Sequence, residues 1–207
     1  MRVGIVNYGM GNLGSVRRAL DELGVDAFIA ESPGEILGAH RAVLPGVGAF
    51  SEGMSRLRQA GWDTALYKLV HDQGKPLLGI CLGMQMLASA GEEGGNTIGL
   101  SFVEGSVRRL DRLGCHLRIP HVGWNELAYL EGEPIFADIP QQSDFYFVHS
   151  YAFEAVRDEH VIAFTSYGVR FAAGVRQGNV FGMQFHPEKS SRAGRQLLRN
   201  FLAYKPC

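Results

Sequence analysis

The sequence predicts an α/β fold: an open, mostly parallel sheet flanked by helices, with antiparallel strands in the C-terminal half. Three observations carry this expectation. Over the first 90 residues, short apolar runs alternate with stretches of helical periodicity. Those runs are apolar on both faces, as in a parallel sheet covered by helices. Beyond residue 95, strand-like runs follow one another directly, with turn sequences at Tyr167-Gly168 and Gln177-Gly178-Asn179.

Residues 3–7 form a short apolar strand. Leu13, Val16, Leu20 and Leu23 then recur at helical spacing, and Gly24 is a natural stop. Residues 25–30 and 41–44 read as strands, the second stopped by Pro45-Gly46. Helical periodicity spans residues 52–73. Residues 77–80 form a fourth strand, followed by a helix over 82–90. Strands are expected at 103–110, 145–149, 161–165, 171–176 and 180–185. A closing helix over 193–204 turns Leu197, Leu198, Phe201 and Leu202 inward and Arg195 and Arg199 outward.

Bulk composition limits the function classes. The 207 residues are 46% hydrophobic and 20% charged, and no linker or repeat divides them, so residues 1–207 read as one domain. A formal net charge of -1 gives no electrostatic drive toward nucleic acid or a membrane surface. Arg108, Arg109, Arg112 and Arg118 read as a solvated surface group. The three cysteines, Cys81, Cys115 and Cys207, match no zinc spacing, so neither metal nor cofactor is expected. Cysteine usage suits a reducing, cytoplasmic setting. A strand starting at residue 2 leaves no room for a signal peptide, and no apolar run reaches spanning length.

The chemistry concentrates at GICLGMQ, residues 79–85. Gly79-Ile80-Cys81-Leu82-Gly83 falls where a strand hands over to a helix. Small residues flank the cysteine on both sides, as in a nucleophile elbow. Such a turn lifts the cysteine above the sheet and frees the Leu82 N–H for a developing oxyanion. A helix start also favours thiolate. A buried structural cysteine would explain the same pattern in isolation.

A cysteine nucleophile needs a base. His40 and His71 read as surface or helical, and His116 and His160 as exposed. His121 and His149 have apolar neighbours and suit either core or site. His186 ends a strand and precedes Pro187, which holds it extended. Glu188 therefore points the same way, placed to orient the imidazole. Cys81, His186 and the loop Pro45-Gly46-Val47-Gly48 all follow strands, so they can meet at one sheet edge. Val47 and Gly48 could complete an oxyanion hole, although a simple turn explains that loop equally well.

A rival motif opens the chain. Gly9, Gly11 and Gly14 match G-x-G-x-x-G between strand and helix, with Glu31 ending the next strand. That would suit an NAD(P)-dependent oxidoreductase, but it leaves the Cys-His-Glu set unused. A tight turn on the functional edge explains the glycines as well. A flavodoxin-like interaction module with a reactive cysteine is the third possibility.

GICLGMQ, PGVGAF and HPE together resemble the class I (triad) glutamine amidotransferases. NYGMGNLGSV, PHVGWN, FYFVHSY and QFHPEKSS are similar to those members that serve histidine biosynthesis. Met84 stands where many other members carry His. The resemblance implies a flavodoxin-like sheet, glutamine as substrate and no cofactor. It also implies catalytic roles for Cys81, His186 and Glu188, an oxyanion hole at Val47, Gly48 and Leu82, and glutamine binding by Gly48, Gln85, Ser150 and Tyr151. The partner implied is a separate cyclase subunit of (β/α)8-barrel fold, in a heterodimer. Met10, Asn12, Trp124, Tyr146 and Lys189 would face it.

Overall fold

The computed structural model describes residues 1–206; Cys207, whose role the sequence leaves open, lies outside them. Four strands of the first half pair in parallel: β1 (Arg2–Val6), β2 (Asp26–Ala30), β3 (Arg41–Gly46) and β4 (Leu77–Cys81), in the order β2-β1-β3-β4. Between and after them run α1 (Leu13–Asp21), α2 (Pro33–Ile36), α3 (Phe50–Gln59), α4 (Trp62–Tyr67) and α5 (Leu82–Met86). The second half adds β5 (Ala90–Gly91), β6 (Thr97–Ile98), β7 (Gly105–Arg109), β8 (His121–Tyr129), β9 (Ser143–His149), β10 (Tyr151–Ala155), β11 (Val161–Ser166), β12 (Arg170–Gln177) and β13 (Val180–Met183), then α6 (Ser191–Ala203). β13 pairs parallel to β4 and antiparallel to β12, so it joins the two halves of the sheet.

Alternation along the strands sorts the core into two layers. Val3, Ile5, Val43, Leu78 and Ile80 face α1 and α6, packing with Leu20, Leu197, Leu198 and Phe201. Val6, Ala42, Leu44 and Leu77 face the other way, against Met54, Leu57, Trp62 and Leu66 of α3 and α4. No helix among the described residues is long and apolar enough to cross a membrane.

Several boundaries differ from the sequence expectation. The helix expected over residues 52–73 is two: α3 ends near Gly61, whose φ of +77° breaks the path, and α4 runs on into a π turn, Lys68–Asp72. The helix expected over residues 82–90 stops after Met86, because the Ser89 N–H pairs with the Gly105 carbonyl and the chain turns into β5. β3 continues through Pro45 to Gly46. Its pairing to β1 ends at Val43, while β4 pairs with Pro45 and Gly46; an edge position tolerates the missing N–H. α2, β5, β6, β8 and β10 were not foreseen. His160 is mostly buried, its side chain only 13% exposed, against the expectation of an exposed histidine.

The glycines around Cys81 are dictated by contact. A Cβ on Gly79 would lie 2.8 Å from the Gly83 backbone, and a Cβ on Gly83 would overlap the Leu44 carbonyl. Both clashes are with backbone, which cannot swing aside. Gly83→Ala is expected to cost about 3 kcal/mol or more of unfolding free energy. A urea denaturation midpoint unchanged from the parent chain would contradict this close approach.

Candidate active site

Cys81 adopts φ +54°, ψ -110°, a conformation costly for any residue with a Cβ. It is the last residue of β4 and stands directly before α5. With only five residues, α5 contributes little macrodipole. Register brings the other parts here. Gly46 pairs with Cys81, so the loop through Val47 and Gly48 leaves the sheet beside the thiol. Met183 pairs with Ile80, so the chain from Gln184 to His186 passes the end of β4. Three parallel strand ends thus build one edge.

His186 Nδ1 and Glu188 Oε1 are 2.8 Å apart, with the two side chains only 3% and 2% exposed. The turn Pro187–Lys189 sets this spacing. Ser190 secures it: its hydroxyl donates to the His186 carbonyl at 2.6 Å and accepts from the Tyr146 N–H at 3.0 Å. The His186 N–H in turn donates to the Tyr146 carbonyl at 2.9 Å. With Nδ1 engaged, Nε2 is the nitrogen left for Cys81, and it has no hydrogen-bond partner of its own. Burial alone would lower the His186 pKa, but the Cys81 sulfur and the Glu188 carboxylate outweigh it and raise the value to about 9.

A cavity of about 410 Å³ opens over Cys81, and Val47, Gly48, Leu82, Gln85, Ser150, Tyr151 and His186 all line it. Every residue expected in the oxyanion hole or the substrate pocket is therefore on one wall or another. Glu188 stands behind His186. At Gly48 the backbone takes φ +103°, and a Cβ there would meet the Met10 methyl at 2.7 Å. Gln85 donates to the Tyr151 carbonyl at 2.9 Å.

Sequence reasoning missed four residues of the site. Glu93 lines the cavity and accepts from the Phe50 N–H at 3.0 Å; burial raises its pKa, partly countered by that bond. Gln184 is fully buried against Cys81. Tyr8 is buried, its hydroxyl has no partner, and burial together with the Cys81 charge pushes its pKa up. Ser190 was visible only as part of QFHPEKSS. Of the two ambiguous histidines, His149 lines the cavity and His121 stands behind it, both buried. His149 Nδ1 donates to the Tyr151 carbonyl at 2.8 Å, so its Nε2 accepts from His121 Nδ1 at 3.0 Å. Burial pulls His121 down to about 4 and His149 to about 3.

Of the residues expected to face a partner, Trp124 is 52% exposed and lies 6.0 Å from the Tyr146 ring. Lys189 sits 5.6 Å from the centre of the same Tyr146 ring. Met10 lies over Gly48. Asn12 has a local task as well, capping α1 by accepting from the Ser15 N–H. In the glycine-rich first turn, Gly9 and Gly11 hold φ of +85° and +146°. Glu31, the acid of the rival dinucleotide motif, accepts from Asn7 Nδ2 at 2.6 Å.

A family model described as glutamine amidotransferase class-I matches residues 5–204. Imidazole glycerol phosphate synthase subunit HisH of Moorella thermoacetica is 47% identical, spanning 96% of this chain and 93% of the relative. The HisH subunit of Bacillus subtilis is 44% identical, over 96% and 94%. Among solved structures, a glutamine amidotransferase matches with a TM-score of 0.76 at 24% identity, covering 97% of each chain. A glutamine amidotransferase of Thermotoga maritima matches with a TM-score of 0.66 at 19% identity, covering 98% of this chain and 83% of that one. These structural likenesses bear on the fold and agree with an α/β sheet, parallel in its first part.

Imidazole resonances followed by NMR test the electrostatics. His186 is expected to stay protonated through neutral pH and to lose its proton near 9, while His121 and His149 stay neutral down to about 4 and 3. The linkage has two signs. Because its folded pKa is raised, His186 stabilises fully below its ordinary value and loses this as pH climbs through about 9. The His121–His149 pair stabilises above that ordinary value and loses this as pH falls toward 4 and 3. A His186 titration near 6.5, the ordinary imidazole value, would overturn the ion-pair geometry.

Proposed function

The chain belongs to the glutamine amidotransferase class-I family and, within it, to the imidazole glycerol phosphate synthase HisH subunits, and we propose that Cys81, His186 and Glu188 are its hydrolytic triad. One observation carries the reading. His186 is held by Glu188 at 2.8 Å with its free nitrogen left for Cys81, on the wall of a cavity large enough for glutamine.

The steps follow from those positions. The Cys81 thiolate attacks the side-chain amide carbon of glutamine. Negative charge develops on the amide oxygen, where the Leu82 N–H and the Val47–Gly48 loop receive it. His186, protonated at neutral pH, gives its proton to the amide nitrogen as the C–N bond breaks and ammonia leaves. A glutamyl thioester remains. His186 then takes a proton from water, the hydroxide adds to the thioester carbon, and the C–S bond breaks to release glutamate. Glu188 orients the imidazole and stabilises its charged form. Gly48, Gln85, Ser150 and Tyr151 hold the substrate, and no cofactor enters any step.

Ammonia is the useful product, and free solution would protonate it. We propose that a separate cyclase subunit of (β/α)8-barrel fold receives it in a cytoplasmic heterodimer. That partner would join ammonia to a phosphoribulosyl formimino carboxamide ribotide, giving imidazole glycerol phosphate and aminoimidazole carboxamide ribotide. The names of the relatives, each a subunit of imidazole glycerol phosphate synthase, support a partner subunit and imidazole glycerol phosphate as a product. Met10, Asn12, Trp124, Tyr146 and Lys189 are the proposed contact residues. An exposed tryptophan beside a tyrosine and a lysine is the composition expected of an interface anchor.

Cys81→Ala is expected to abolish glutamine hydrolysis while leaving cyclase binding intact, read by glutamate release and by calorimetry. Residual turnover within about tenfold of the parent would be far above the loss expected for a missing nucleophile and would sink the triad. Steady-state glutaminase rates are expected to rise strongly when the cyclase and its nucleotide are added. Equal rates with and without them would argue against a site controlled by its partner.

A further inference from the structure

Gln184 has no task in the steps above, yet it is fully buried between two residues that do. Its side chain meets Gln85 Nε2 at 3.1 Å on one side and Cys81 Sγ at 3.8 Å on the other. A glutamine can be turned end for end, so the sense of this chain must be argued. The Tyr151 carbonyl decides it. A carbonyl oxygen only accepts, so the end of Gln85 lying 2.9 Å from it is the NH2 group. The same NH2 group reaches Gln184, whose nearer end must then be its oxygen. The NH2 group of Gln184 is therefore the end that faces Cys81.

Two consequences follow from this one orientation. Both hydrogens of the Gln85 amide are spent, on the Tyr151 carbonyl and on Gln184. Only the oxygen of Gln85 remains for the cavity that Gln85 lines, so it can receive a donor but cannot offer one. At the other end, the Gln184 amide gives the sulfur a hydrogen bond that strengthens as the sulfur gains charge. Gln184 also lies two residues before His186, in the bend that follows β13, and both residues approach the same thiol.

We propose that Gln184 is a positioning residue for glutamine hydrolysis: its oxygen locks Gln85 as an acceptor toward the substrate, and its NH2 group stabilises the charged Cys81 sulfur. The proposal rests on Cys81 being the nucleophile. The other titratable groups near the sulfur are His186, Tyr8 on the loop after β1, and, through His186, His149. Cavity-lining Glu93 is the remaining acid. None of them is altered by substitution at position 184.

Two variants separate the tasks, each assayed as the full chain with its cyclase partner. Gln184→Met keeps the volume and removes both bonds. Its KM for glutamine is expected to rise about tenfold, and iodoacetamide alkylation of Cys81 at pH 7, read by peptide mass, to slow about tenfold and recover at higher pH. Gln184→Glu keeps an acceptor for Gln85 but loses the donor to sulfur. Its alkylation is expected to slow similarly while KM stays within about threefold of the parent. A folded Gln184→Met chain with unchanged KM and unchanged alkylation profile overturns the proposal. If neither variant folds, the Gln184 side-chain NH2 resonance decides: it is expected to move on Cys81→Ala, and a fixed resonance overturns the proposal. Loss of the triad would look different, since Cys81→Ala would then retain glutaminase activity.

Discussion

Everything at the site depends on the left-handed backbone at Cys81. A cysteine at φ +54° is strained by about 1–3 kcal/mol. The sheet and α5 hold it there because Gly79 and Gly83 let two backbone segments touch. A side chain at either position would push the turn open and lower the thiol toward the sheet. The strain is thus stored in packing, and what it yields is exposure of a sulfur to a cavity while the residue itself stays 7% accessible.

Around that turn the molecule keeps three buried histidines in two charge states. His186 stands between the Cys81 sulfur and the Glu188 carboxylate, which together outweigh its burial and hold its proton. His121 and His149 have only each other, an asparagine amide and a carbonyl, and they stay neutral. Burial acts on all three in the same direction. The neighbours decide the outcome, as they must when desolvation and Coulomb attraction compete within one small volume. A cation and a neutral donor–acceptor chain therefore line one cavity without sharing a proton.

The parts legible in sequence were those whose cause is local. GICLG reads as an elbow because one clash it avoids, Gly79 against Gly83, is between residues four apart; the close approach of Gly83 to Leu44 was not legible. HPE reads as an oriented imidazole because ring and carboxylate are only two residues apart, although a 3-10 turn, Pro187–Lys189, brings them together and not the extended chain expected. The break at Gly61 was also local, but the apolar periodicity continued across it and masked it. β8 was hidden because the alternation of HVGWNELAY is inverted: Val122, Trp124 and Ala128 stand on its exposed side, while His121 and Asn125 stand on the more buried one. Gln184 opens QFHPEKSS, but its task was out of reach for a different reason: its partners are 99 and 103 residues away. Glu93 follows a strand of two residues, too short to announce itself.

The Tyr151 carbonyl accepts from both His149 and Gln85. It thereby sets the tautomer of one and the rotamer sense of the other. A main-chain oxygen is present whatever side chain residue 151 carries. The donor–acceptor polarity of the site is consequently insulated from point mutation at that position: the phenol can be exchanged during divergence, and only a change in the path of the chain itself would reverse the order in which the hydrogens point.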